Sequence, residues 1–262
     1  MAFTLALAQC AHPDDGDVLG MVDTWADMAE RQGADLLVFP ESLMTPFELS
    51  RDQFIEAAEP VDGPFARAMD GIARSHGLWM VYTMNEQNPN GGPPFNTAVV
   101  VDSEGTQRSV YRKVHLFDAG AFRESDKMTA GNAIFEPLET PFCRLGLGIC
   151  YDLRFPELAR RQALAGCELL VYPAAWVAGK GKIDQWRTLA RARAIENGIF
   201  VAGLSRTGAS YIGHSLVSGP TGRVLASADA TEQLLCCRID ITEVATVQQE
   251  TPALRSRRPE LY

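Results

Sequence analysis

The sequence has no C-x-x-C pair among its six cysteines and no G-x-x-x-x-G-K-[ST] phosphate loop. It also lacks any apolar run approaching the roughly 20 residues that a bilayer span needs. Each absence closes a class. Cys10, Cys143, Cys150, Cys167, Cys236 and Cys237, lying apart from any metal-type spacing, fit a reducing compartment and exclude a disulfide-stapled scaffold. Met1–Cys10 carries no basic n-region, so no secretory leader is expected and the cytoplasm is the default location. Lys and Arg number 24 against 33 Asp and Glu, a formal charge of −9. That balance argues against non-specific nucleic-acid or membrane partners. Gly146-x-Gly148 lacks the third glycine of a dinucleotide fingerprint. No repeat of fixed period and no linker divides residues 1–245.

What is present suffices for one large core. Of 262 residues, 46% are hydrophobic and 22% charged. We expect a single domain over residues 1–247 and a polar C-terminal tail over 248–262. Strands are expected at Phe3–Gln9, Asp35–Phe39, Leu78–Asn85, Asn96–Val101, Gln107–Arg112, Ala133–Glu139, Arg144–Ile149, Glu168–Tyr172, Ile199–Leu204, Ser210–Ser218, Arg223–Ser227 and Gln233–Ile239. Helical spacing marks Asp17–Arg31, Gly63–His76, Phe155–Ala165 and Ile183–Asn197. Lys113–Asn132 reads as a long polar loop. Interleaved helices and about a dozen strands predict an α/β fold in which two packed sheets carry helices on their outer faces.

Three strand ends break the bland pattern, and strand ends are where α/β proteins gather their sites. In Phe39-Pro40-Glu41-Ser42, a carboxylate follows an apolar strand. Desolvation would raise its pKa and suit it to general-base work, although a turn carboxylate in water reads the same way. Lys113, in Tyr111-Arg112-Lys113-Val114-His115-Leu116-Phe117, can present a fixed cation or simply a solvated one. Cys150, in Gly146-Leu147-Gly148-Ile149-Cys150-Tyr151-Asp152-Leu153-Arg154-Phe155-Pro156-Glu157, precedes a helix whose positive N-terminus would favour a thiolate. The alternative is a buried, inert thiol. Gly146 and Gly148 leave room for another backbone or a ligand. Together the three side chains supply a nucleophile, a base and a positive group for an oxyanion, without a histidine.

These blocks resemble the Glu-Lys-Cys signature of the nitrilase superfamily of carbon–nitrogen hydrolases. The resemblance extends through Tyr172-Pro173-Ala174-Ala175-Trp176, the helix from Trp186 to Asn197, and Gly213-His214-Ser215. It implies an α-β-β-α sandwich, a homodimer or higher homo-oligomer, a small-molecule amide substrate, and neither metal nor organic cofactor. It also implies roles. Cys150 would be the nucleophile and Glu41 the general base. Lys113 and the backbone N–H of Tyr151 would hold the oxyanion, and Glu124 would be a second glutamate orienting the substrate.

Cys150-Tyr151-Asp152-Leu153-Arg154-Phe155 is similar to the branch that contains omega-amidases, where an arginine at the Arg154 position helps bind the far carboxylate of a dicarboxylate monoamide. An ion pair with Glu157 or another nearby carboxylate is the alternative reading of Arg154. Trp176 stands where that branch carries phenylalanine and would narrow the acyl pocket, and the Asn-x-x-Thr-Gly run expected after it is missing. The expectation is an amidase forming a cysteine thioester. Its alternatives are an N-carbamoyl hydrolase, a nitrile hydrolase, a catalytically silent binding protein, and a cysteine protease using His115 or His214. In the tail, Leu254, Leu261 and Tyr262 suggest an arm packed at a subunit interface.

Overall fold

Period-two alternation organises the first strand of the computed structural model, which describes residues 2–120 and 122–261. In β1 (Ala2–Gln9), Phe3, Leu5 and Leu7 join a core between two sheets. Ala6 and Ala8 turn the other way, beneath helices α1 (Val18–Arg31) and α3 (Pro64–His76). Asp17 caps α1 by accepting the Gly20 N–H at 2.9 Å, and the helix buries Val18, Val22, Ala26 and Ala29 at near four-residue spacing. Met28 faces outward instead. Gly77 ends α3 in the left-handed conformation that glycine adopts at least cost.

The remaining elements are β2 (Leu36–Val38), α2 (Arg51–Ala57), β3 (Trp79–Glu86), β4 (Phe95–Val101), β5 (Gln107–Arg112), β6 (Asp118–Ala119), β7 (Phe122–Arg123), β8 (Leu138–Glu139), β9 (Arg144–Leu147), α4 (Pro156–Leu164), β10 (Leu169–Ala174), α5 (Lys182–Asn197), β11 (Phe200–Ser205), β12 (Leu216–Ser218), β13 (Val224–Ser227), β14 (Gln233–Asp240) and α6 (Thr242–Glu250). One sheet runs β14-β1-β2-β3-β4-β5 and the other β13-β12-β11-β10-β9-β8. Inward residues of both sheets, among them Leu36, Val38, Val81 and Val100 against Leu145, Leu147 and Val171, form one continuous core. Truncating one of these leucines to alanine should cost about 2–5 kcal/mol. This is the expected α-β-β-α sandwich.

Several local expectations fail for identifiable reasons. The stretch 133–139 forms a strand only at Leu138–Glu139, and 210–218 only at Leu216–Ser218, apart from a single Tyr211–Val177 bridge. In both, apolar side chains such as Phe135 and Ile212 are buried without a ladder, so burial imitates the strand pattern. The 113–132 loop contains the β6–β7 ribbon. Gly146 and Gly148 make room for neither backbone nor ligand. A Cβ at Gly146 would meet Cys167 Sγ and Gln162 Oε1 at 2.6 Å, and one at Gly148 would meet the Tyr172 ring at 2.5 Å. The expected tail boundary at 248 falls inside α6, which runs to Glu250. Beyond it Leu254 packs on the chain's own core and Leu261 is exposed, while Tyr262 lies outside the described residues.

Candidate active site

The chain turns sharply after β2 because polar groups from other elements seize its carbonyls. Thr83 Oγ1 donates to Pro40 O at 3.0 Å, and the Arg206 guanidinium donates to Glu41 O at 3.2 Å and Ser42 O at 2.7 Å. Ser42 is held at φ 57°, a costly conformation for a residue with a side chain. The turn drives Glu41 inward to 1% exposure. Its Oε1 accepts from Lys113 Nζ and Asn96 Nδ2, both at 2.8 Å, and its Oε2 from the Ala175 N–H at 2.7 Å.

Lys113 follows β5, where its N–H donates to Asn96 O at 2.9 Å. Its ammonium, also 1% exposed, reaches a second carboxylate. Nζ lies 3.0 and 2.8 Å from the two oxygens of Glu124, and the Phe117 N–H donates to Glu124 Oε2 at 2.6 Å. The short β6–β7 ribbon turns the chain back so that Glu124 returns beneath Lys113.

Cys150 opens a 3₁₀ turn, Cys150–Arg154, at φ 45°. The turn is pinned by Asp152, fully buried, which accepts from Ile149 N–H (2.8 Å), Tyr111 OH (2.7 Å) and His115 N–H (3.2 Å). His115 Nδ1 also lies 2.7 Å from Asp152 Oδ1, and its ring stacks on Phe155 at 3.6 Å. One carboxylate therefore joins the Lys113 arm to the Cys150 turn. The Cys150 thiol feels the charges of Glu41, Lys113 and Glu124. The strand-end thiol, ammonium and both carboxylates meet in one buried cluster.

Two electrostatic expectations reverse. Burial would raise the Glu41 carboxyl, but the Lys113 charge and its hydrogen bond, with the Ala175 N–H and Cys150, hold it below the usual carboxylate range. Burial and the adjacent Glu41 charge instead push the Cys150 thiol well above its ordinary value, and Lys113 only partly opposes them. No helix N-terminus wins here: α4 begins six residues later, at Pro156. Glu124 is raised by burial despite Lys113, with the Glu41 charge adding to the rise. Burial opposes the Lys113 charge, but Glu124 and Glu41 outweigh it and lift its pKa.

Beside the cluster lies a small pocket walled by Phe117, Cys150, Tyr151, Arg154, Trp176 and Lys182, among others. Tyr151 sits in the first turn of the 3₁₀ segment, where N–H groups have no acceptor of their own. Arg154 donates to Gln185 Oε1 at 2.8 Å, not to Glu157, and its guanidinium lies 4.7 Å from the Trp176 ring centre. Trp176, packed on Trp186, forms part of the pocket wall. The protease alternative lacks its contact: among the described residues neither histidine hydrogen-bonds Cys150, His115 being engaged by Asp152 and His214 lying against Arg187.

Sequence reasoning missed Asn96, the Ala175 N–H and Arg206. Asn96, one of two polar residues in the otherwise apolar β4, also lies 3.4 Å from Glu124. Arg206 was signalled only as a charge directly after a wholly buried strand.

The chain matches the carbon-nitrogen hydrolase family over residues 4–249. It is 36% identical to omega-amidase NIT2 of Homo sapiens over 244 residues, covering 89% of this chain and 87% of that one. The structure of Saccharomyces cerevisiae Nit3, a member of branch 10 of the nitrilase superfamily, superposes with a TM-score of 0.87 at 28% identity, covering 98% of this chain and 97% of that one. A variant of an amidase from Nesterenkonia sp. AN1 carries the acetamide moiety of fluoroacetamide on its active-site cysteine. It superposes with a TM-score of 0.81 at 28% identity over 99% of this chain and 95% of its own. By the span of the family match and the identity to these relatives, this chain belongs to the carbon–nitrogen hydrolases of the nitrilase superfamily.

Proposed function

We propose that the chain hydrolyses small linear amides through Cys150, with Glu41 moving the protons and Lys113 and the Tyr151 N–H stabilising the oxyanion. Amide C–N hydrolysis is the activity of this enzyme, in line with its omega-amidase and amidase relatives. The observation that supports the residue assignment is the buried Glu41–Lys113–Glu124 ion-pair cluster, at 2.8 Å on each side of Lys113 Nζ, whose charges act on the Cys150 thiol.

The thiol is neutral at rest, so attack and deprotonation are coupled. Cys150 Sγ bonds to the amide carbon as Glu41 accepts the thiol proton. The carbonyl oxygen becomes an oxyanion, and Glu41 then passes its proton to the departing ammonia, leaving a thioester. Water attacks the thioester, Glu41 takes its proton, and collapse releases the acid as the thiol is restored. Lys113 has three N–H donors, directed at rest to Glu41 and both oxygens of Glu124. Stabilising the oxyanion requires it to release one bond to Glu124, whose raised pKa makes it the softer partner. Among the pocket's wall residues, Arg154 and Lys182 are cationic and favour a substrate with an anionic far end, such as a monoamide of a short dicarboxylic acid.

A panel of such monoamides, aliphatic amides, N-carbamoyl compounds and nitriles, assayed for ammonia and carbon dioxide together, tests this reading. Ammonia without carbon dioxide, from amides before nitriles, is the expected result. Turnover confined to carbamoyl compounds or nitriles overturns it. We further propose a cytoplasmic homodimer or larger homo-oligomer, organised as one domain with residues after 247 packing at the subunit interface. Exposed Leu164 (50%) and Ile195 (52%) on α4 and α5 support an interface, and the free thiols support the compartment. Deleting residues after Ala253 should lower oligomer stability in sedimentation, and an unchanged profile overturns the arm's role.

A further inference from the structure

The two oxygens of Glu41 are unequally filled. A carboxylate oxygen offers two lone pairs. Both are taken on Oε1, one by Lys113 Nζ and one by Asn96 Nδ2, each at 2.8 Å. Oε2 accepts the Ala175 N–H at 2.7 Å and keeps a lone pair for a further donor, and the Cys150 thiol also acts on this carboxylate.

Asn96 is an amide in apolar company. On β4 it shares the inward face with Ala98 and Val100, which join the core between the sheets, and it is 5% exposed. Burial of an amide is tolerated where its hydrogen bonds are met. The Nδ2 group has two protons, and its acceptors are Glu41 Oε1 and, at 3.4 Å, Glu124 Oε1. Carboxylates can only accept, so the amide nitrogen and not its oxygen faces them. The Asn96 backbone carbonyl accepts the Lys113 N–H at 2.9 Å. One residue thus contacts both carboxylates and the backbone of the lysine between them. The ammonium must turn in part to the oxyanion, whereas the neutral amide, fixed in a strand, stays.

We infer that Asn96 is the positioning residue of the general base: it closes Oε1 and so assigns the thiol proton to Oε2. The inference rests on the reading of Cys150 as nucleophile and Glu41 as base. As Sγ bonds to the amide carbon, the S–H bond breaks, its proton passes to Oε2, and the carbonyl pair moves to oxygen. The proton leaves Oε2 for the amide nitrogen as the C–N bond breaks.

The test is steady-state ammonia release across pH by two variants of the full chain. Asn96→Leu keeps the branched shape but donates nothing. Its kcat should fall about 10- to 100-fold with KM within about twofold. The acidic limb of kcat/KM should move to higher pH, because the carboxylate has lost a donor. Asn96→Asp separates positioning from packing. Its carboxyl donates to Oε1 when protonated and repels Glu41 when ionised, so turnover should exceed that of Asn96→Leu in acid and fall to it as pH rises. An Asn96→Leu kcat within twofold of the unaltered enzyme, an unmoved acidic limb, or equal losses in both variants at every pH overturns the role. If Asn96→Leu does not fold, the pH-dependent loss in Asn96→Asp decides alone, its presence supporting the role and its absence overturning it. Glu41→Gln keeps the two failures apart. Full turnover in that variant sinks the reading of Glu41 itself, whereas its inactivity beside a fully active Asn96→Leu sinks only the role of Asn96.

Discussion

The two sheets repeat one pattern with different chemistry. Read from β14 or from β8, successive strand pairs run antiparallel, parallel, parallel, antiparallel, antiparallel. Cys10 lies five residues past Leu5, which pairs with Leu36 at the start of β2, and Cys150 lies five past Leu145, which pairs with Leu169 at the start of β10. Phe39-Pro40-Glu41 likewise corresponds to Tyr172-Pro173-Ala174. Both cysteines are buried, and burial pushes Cys10 up to about 12 just as it raises Cys150. What separates them is company. Cys150 feels the Glu41 carboxylate and the Lys113 ammonium. Near Cys10, Arg206 is committed to carbonyls, and Glu232 accepts the Ala11 N–H. Of the two strand-end thiols, only Cys150 receives both Glu41 and Lys113 from the opposite half.

Substitutions can break that contrast, beginning with the thiols. Cys150→Ala should reduce amide turnover by about 10⁴-fold or more, while Cys10→Ala leaves kcat/KM within about twofold. Comparable losses from both would erase the distinction. Next is Glu41→Gln, which keeps shape but cannot take a proton and should cost about 10²–10⁴-fold in kcat. Iodoacetamide should then label Cys150 as slowly as Cys10, whereas in the unaltered enzyme Cys150 should be labelled faster. Replacing Lys113 with Met strands two buried carboxylates. It should destabilise the fold by about 3–5 kcal/mol at neutral pH, read by thermal melting, and part of that loss should disappear in acid as the carboxyls protonate.

The pH profile sharpens the comparison further. Glu41 has a depressed folded pKa, so it stabilises the fold above its unfolded value and loses that contribution as pH falls through the folded one. The acidic limb of kcat/KM should accordingly lie below the ordinary carboxylate range. Cys10 and Cys150 have the opposite sign. Their raised pKa values cost no stability below the unfolded thiol value and destabilise the fold as pH rises past it. The smallest effect belongs to Arg154→Ala, which should raise KM for a dicarboxylate monoamide about tenfold at nearly constant kcat.

How legible was this in the chain alone? Glu41, Lys113 and Cys150 could be read because each sits at the end of a locally recognisable strand, and the sandwich followed from interleaved elements. The sign of the Glu41 shift could not be read. A strand of apolar residues announces burial, but the ammonium that outweighs burial arrives from 72 positions away. Asn96 and the Ala175 N–H escaped notice for the same reason, since each acts on a carboxylate delivered by another element. The likeness of the halves escaped too, because strand direction leaves no periodic residue signal.

Asp152 carries a last consequence. A single buried carboxylate grips the backbone before the thiol and the backbone just beyond the ammonium, so the two segments can loosen only together. In deuterated solvent the amide protons of Ile149 and His115 should exchange in step, and Asp152→Asn should unfasten both at once while distant strands keep their protection.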